Sequence, residues 1–185
     1  MSLKHAILGF LNYAPLSGYD LKKAFDTSVR HFWPADQSQI YRTLARLEEQ
    51  GWAEVEAVEQ QGYPDRKVYY ITEDGQRELR RWLTVPLPEK QTRSAQLIQV
   101  FFAGQLSDEE ILAMLEHWAE QTRAVLQGYD AIPEQAAAYV ETVGSPREMF
   151  FWMLTLECGI KLMQAQLEWV ESVLERIKNT AHPSA

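Results

Sequence analysis

The sequence predicts a mainly α protein with a small β-hairpin: an N-terminal winged helix-turn-helix followed by a C-terminal α-helical dimerisation domain. Three observations carry that expectation. Residues 36–52 read as an amphipathic helix closed by Gly51, with two strand-like runs after it. Val85-Pro86-Leu87-Pro88 breaks helix twice, because proline lacks a backbone donor and clashes with the preceding turn. Beyond that break the periodic segments read as helical, and the last repeats its apolar residues at alternating spacings of four and three.

The elements follow in order. Leu3 to Tyr13 is a short apolar helix that stops near Pro15. Ser17-Gly18-Tyr19-Asp20 reads as a capping box opening a second helix to about Phe25. A turn through Trp33-Pro34-Ala35 leads to the third helix. There Ile40, Leu44 and Leu47 stand at i, i+4, i+7 and make one apolar stripe. Gly51 supplies the left-handed residue that ends it. Strands are expected over Ala53–Glu59 and Lys67–Ile71, joined by the turn-rich Gln60–Arg66. Thr72 caps a fourth helix from Glu73 to about Leu83. Ser107-Asp108-Glu109-Glu110 is a capping box before Ile111, Leu115, Trp118 and Thr122. Ser145-Pro146-Arg147-Glu148 is another, with proline at the first helical position, and it opens a helix reaching about Lys178. The division expected is residues 1–84 as the winged helix-turn-helix, 85–92 as linker and 93–185 as the helical part.

Composition sets the broad class. With 46% hydrophobic residues the chain can bury a core and should be globular. The net charge of −8 argues at first against a nucleic-acid partner. Its distribution softens the objection: residues 1–83 carry 11 Lys+Arg against 12 Asp+Glu, and the acidity lies in the second half. No apolar run approaches the ~18 residues that would span a bilayer, so no membrane partner is expected. The N-terminus lacks the pattern of a signal peptide, and the lone Cys158 has no partner in the chain. A reducing cytoplasm fits both.

Chemistry concentrates on the third helix. Ser38, Gln39, Arg42, Thr43 and Arg46 fall off its apolar stripe. Amide and hydroxyl groups suit base edges, and guanidinium suits phosphate or guanine. Double-stranded DNA is therefore the leading partner. Arg66 and Lys67 at the expected hairpin tip read equally as phosphate contacts or as charge that blocks edge pairing. His5, His31, His117 and His182 are scattered and form no metal-binding pattern, so no metal or cofactor is expected. There is no phosphate loop, nucleophile elbow or other catalytic constellation, and an enzyme is not expected.

The last helix carries a seam of Met149, Met153, Leu156, Ile160, Met163, Leu167, Val170, Leu174 and Ile177. Sustained over about four heptads, it is the pattern of a helix lying lengthwise on a partner helix, and is read as a homodimer interface. Phe101, Trp118, Phe151 and Trp152 add more rings than one seam buries. Core packing accounts for rings of this kind, and an aromatic-lined pocket for a small flat effector is the alternative. A protein-interaction scaffold whose winged helix no longer binds DNA is the alternative for the whole chain.

On these residues the chain resembles the PadR family of transcriptional regulators. The resemblance rests on Ala6-Ile7-Leu8-Gly9-Phe10-Leu11, on Ser17-Gly18-Tyr19-Asp20-Leu21, on the helix from Ile40 to Gly51, and on Tyr69-Tyr70-Ile71-Thr72 with Gly75. The second half is similar to the long helical domain of the larger members, related to the AphA virulence activators. The resemblance implies a cytoplasmic homodimer, usually a repressor, that binds a pseudo-palindromic operator and is often released by a small molecule. It also places the family's recognition-helix tyrosine at Tyr41, with Ser38, Gln39 and Arg42 as its polar neighbours. The wing departs from a strongly basic one: Arg66 and Lys67 stand beside Asp65, with Glu54, Glu56 and Glu59 on the first strand.

Overall fold

A computed structural model describes residues 3–60, 63–88, 93–134 and 145–179. They divide into two compact units. The first holds residues 3–87 with 134 and 145–149, and the second holds the rest. The division falls at Leu87, within the segment read as a linker.

The first unit is built from α1 (Leu3–Tyr13), β1 (Leu16–Ser17), α2 (Gly18–Thr27), α3 (Gln37–Glu49), β2 (Ala53–Gln60), β3 (Tyr63–Ile71) and α4 (Glu73–Thr84). Helices α2 and α3 with the β2–β3 hairpin form the winged helix-turn-helix. The caps explain where helices start. Ser17 Oγ accepts from the Asp20 N–H, and Asp20 Oδ2 accepts from the Ser17 N–H. Asp36 and Gln39 repeat that reciprocal arrangement at the start of α3, at 2.7 and 3.2 Å. Gly51, at φ +70°, ends α3. Its N–H reaches Glu48 O at 2.9 Å and the next N–H, of Trp52, reaches Leu47 O at 2.8 Å, satisfying two carbonyls of the last turn.

The sheet has three antiparallel strands in the order β1-β3-β2. Leu16 and Ser17 pair with Tyr69 and Val68, a two-residue strand with no periodic signature in the sequence. The hairpin is longer than expected. Arg66 pairs with Val58 and Lys67 with Ala57, so both cations stand along β3 and not in the turn. The core gathers one face from every element: Ile7, Leu8 and Leu11 of α1, Leu21 and Phe25 of α2, the α3 stripe, Tyr69 of β3 and Leu79 of α4.

A polar node joins α1 to α4 inside this unit. His5 is buried, and its ring stacks on Trp82 at 4.4 Å. A carboxylate can only accept, so the His5 Nε2–H donates to Glu78 Oε1, at 3.0 Å. Arg81 grips the same carboxylate through Nε and Nη2 at 2.8 and 2.9 Å. The hydrogen bonds from Arg81 act most strongly on Glu78; with His5 they outweigh burial and hold its carboxyl at about 2. Burial pushes the His5 imidazole below its ordinary value, more than the Glu78 hydrogen bond raises it. Tyr13 Oη also reaches Glu148 at 2.6 Å, holding α1 to the first turn of the last helix.

The second unit contains α5 (Ala95–Phe101), a short 3₁₀ turn (Ala103–Gln105), α6 (Asp108–Tyr129) and most of α7 (Pro146–Lys178). Helices α6 and α7 run antiparallel, tied by Lys178–Glu116 at 2.8 Å and Arg123–Glu171 at 2.6 Å. Beside the second pair Gln166 Nε2 donates to the buried Thr122 hydroxyl at 3.1 Å. Leu115 and Ala119 pack with Val170 and Leu174, flanked by Leu167 and Ile177. This alters the reading of the seam. Its C-terminal part, Leu167 to Ile177, packs against α6 of the same chain, which is long enough to be the lengthwise partner.

Candidate nucleic-acid interface

Helix α3 sorts its residues by face. Ile40, Leu44 and Leu47 are 0% exposed, which fixes the rotation of the helix on the core. Ser38, Gln39, Tyr41, Arg42 and Arg46 are consequently exposed. Among the described residues neither Arg42 nor Arg46 forms an ion pair. Both guanidinium groups therefore stay available for phosphate or for the O6 and N7 of guanine.

Two of the expected DNA-contact residues have partners within the protein. Gln39 Oε1 accepts from the Asp36 N–H as half of the α3 cap, leaving the amide NH₂ as its donor for a base. The sequence signal for this cap is Asp36 three residues ahead of Gln39. Tyr41 is 41% exposed, yet its ring lies on the start of α2. A Cβ added at Gly18 would stand 2.5 Å from Tyr41 Cε1, so glycine is what admits the ring.

The wing residues behave differently from one another. Arg66 is ion-paired with Asp20 across the gap between β3 and α2. Lys67 is exposed. Tyr70 Oη donates to Glu56 Oε2 at 3.0 Å, which occupies one of the wing glutamates. Tyr19, 68% exposed beside Gly18, was not selected from the sequence, although it lies within the motif that opens α2. An open groove of about 490 Å³ runs beside the start of α3, lined by Lys22, Asp26, Arg30, Asp36 and Gln39 among others.

The four rings considered for an effector all belong to the second unit. Phe101 is exposed and packs edge-on with Phe102, Trp118 packs edge-on with Trp169, and Phe151 with Phe150. Trp152 is half-buried.

A winged helix with a polar, cationic face on its third helix defines a transcriptional regulator of the helix-turn-helix class. Comparison with known proteins makes this specific. Residues 7–81 match the family described as Transcriptional regulator PadR-like, and residues 92–178 match Virulence activator alpha C-term. The Probable transcriptional regulator Rv1176c of Mycobacterium tuberculosis is 31% identical, over 96% of this chain and 98% of its own. Among solved structures, Bacillus subtilis PadR in complex with operator DNA aligns with a TM-score of 0.82 at 28% identity, covering 96% of this chain and 99% of that one. Bacillus subtilis PadR in complex with p-coumaric acid aligns at 0.76 with 29% identity, covering 95% of both chains. The chain belongs to the PadR-like family of transcriptional regulators. It is a regulator and not an enzyme, and no helix among the described residues is long and apolar enough to cross a membrane.

Proposed function

We propose that this protein represses transcription by binding a pseudo-palindromic operator as a homodimer. The observation that carries the reading is the exposed set Ser38, Gln39, Tyr41, Arg42 and Arg46 on a helix whose opposite side is wholly buried. The likeness to an operator-bound PadR supports it. Each protomer places α3 in a major groove, the two grooves lying about 34 Å apart. Tyr41 and Arg46 hold phosphates, while Ser38, Gln39 and Arg42 read bases. Selection of bound sequences from random duplex DNA is the test. An inverted repeat, with affinity that falls as salt rises, is the expected result. Failure to enrich any duplex would leave a protein-interaction scaffold.

The dimer reading rests on an apolar face that the single chain leaves uncovered. Phe150, Leu154, Cys158, Leu162, Ala165 and Trp169 are all exposed on α7. By the 3.6-residue repeat they lie on the side of the helix opposite the seam. A second copy covers this face. A small aromatic effector, bound among Phe101, Trp118, Phe151 and Trp152, relieves repression. The p-coumaric acid complex of the Bacillus subtilis relative supports that class of ligand.

A further inference from the structure

Three consecutive features of the chain meet at the first turn of α2. Ser17 is at once the last residue of β1, paired with Val68 of β3, and the cap of α2. Gly18 carries the ring of Tyr41 from α3. Asp20 Oδ2 accepts from Ser17 N at 3.1 Å, from Ser17 Oγ at 2.6 Å, and from the Arg66 guanidinium of β3. Burial pushes the Asp20 carboxyl up, but the Ser17 hydroxyl and amide together with Arg66 outweigh it and hold it below its ordinary value. The carboxylate is therefore charged whenever the wing is docked near neutral pH.

Resting on the DNA-binding reading above, we infer that Gly18 and Asp20 are positioning residues of the DNA site: Gly18 seats Tyr41 of the recognition helix, and Asp20 tethers the wing through Arg66. On this account Arg66 acts through Asp20 and not on phosphate. The cation the wing offers to the DNA backbone is then Lys67. The arrangement also explains a wing of low positive charge. Its one arginine is neutralised by a carboxylate of α2, so the hairpin is aimed by the protein and not by attraction to DNA.

The two halves are testable separately. Gly18→Ala places a methyl against the far end of a partly exposed tyrosine, which can swing aside, and alanine suits the first turn of a helix. Its melting temperature should stay close to wild type. Affinity for the selected duplex should nevertheless fall about three- to tenfold, as for one lost hydrogen bond to phosphate. In a Tyr41→Ala background Gly18→Ala should cost nothing further. An equal loss in both backgrounds overturns the seating of Tyr41.

For the tether, Asp20→Asn and Arg66→Gln should each weaken binding about two- to fivefold, the effect of a partly exposed ion pair. The double variant should be no worse than either, Arg66→Lys should retain most of the affinity, and the salt slope should not change. A slope flattened by about one in Arg66→Gln alone, with Asp20→Asn at wild-type affinity, means that Arg66 touches phosphate and overturns the tether. A measurement without DNA keeps this distinct from the binding reading. Limited trypsin digestion of the full chain, with the first cut located by mass spectrometry, should show faster cleavage after Lys67 in Asp20→Asn than in wild type. An unchanged rate overturns the tether whether or not the protein binds DNA. A wild-type protein that enriches no duplex overturns the DNA-binding reading instead.

Discussion

Arg42 and Arg46 leave α3 one turn apart, both exposed and both unpaired among the described residues, yet they are expected to differ. On the proposed reading Arg42, beside Ser38 and Gln39, reads a base. Arg42→Ala should cost ~1–3 kcal/mol in binding and relax preference at one operator position. On the same reading Arg46, further toward the C-terminus of α3, holds phosphate. Arg46→Ala should weaken all duplexes alike and flatten the salt slope by about one. Titrations of operator and scrambled duplexes at several salt concentrations separate the two roles. Identical effects of both substitutions on selectivity would show the assignment to be wrong.

The buried node gives a second test at the same scale, with a definite sign. The Glu78 carboxyl is depressed to about 2 from its ordinary 4.5, so its stabilisation is fully present above pH 4.5 and is lost as pH falls toward 2. His5 is also depressed, so the unfolded chain takes up its proton first, and stability begins to fall as pH drops through 6.5. Glu78→Gln should cost about 1.5–3 kcal/mol at pH 7, as expected for hydrogen bonds to a charged group. That deficit should shrink steadily below pH 4.5 in urea denaturation. A deficit independent of pH would mean that the amide is penalised for shape and not for charge. Neither this node nor the Asp20–Arg66 pair was legible in the sequence. Their partners stand 73 and 46 residues apart, and no local period links them.

At the scale of elements, legibility followed periodicity. The α3 stripe was plain because three residues at helical spacing had to be buried, and they are. Strand β1 was invisible because two residues have no period, and it exists only because β3 offers Val68 and Tyr69 an open edge. The hairpin extends past the expected turn because Pro64, a turn signal in the sequence, lies within β3. Proline is tolerated in β3 at that point, since β1 covers only its far end. The seam of α7 was legible as a seam, but a heptad pattern does not say whose helix fills it. Helix α6 takes its C-terminal part. Leu167→Glu with Leu174→Glu should therefore unfold the second unit, each buried charge costing several kcal/mol, with helical circular dichroism lost. Leu154→Glu with Leu162→Glu, on the exposed face, should instead give a folded monomer by light scattering. A folded dimer in the second case would place the interface elsewhere.

For the whole molecule, the separation of charge and the surplus of aromatic surface bear on regulation together. The acidic second half contributes nothing attractive to DNA, so on the proposed reading affinity rests on a small face of α3 and on holding two copies of it at one spacing. An effector need not touch that face. On the proposed reading it acts by binding unequally to two arrangements of the dimer, and a ligand that favours neither arrangement shifts nothing. A ~100-fold preference is worth ~2.7 kcal/mol, enough to empty an operator occupied modestly above its threshold. Small aromatic compounds, phenolic acids among them, are the probes for the proposed effector site, given the exposed Phe101, Phe102, Phe150 and Phe151. Titration of tryptophan fluorescence should report binding through Trp118 and Trp152, and Trp152→Ala should weaken it about tenfold, as for a lost aromatic contact of ~1.4 kcal/mol. Operator affinity should fall in parallel with ligand occupancy. If a phenolic acid quenches fluorescence while operator affinity stays fixed, the rings form a binding site without a regulatory role. If no phenolic acid does either, the rings hold no effector of this class, and occupancy of the operator follows the abundance of the protein alone.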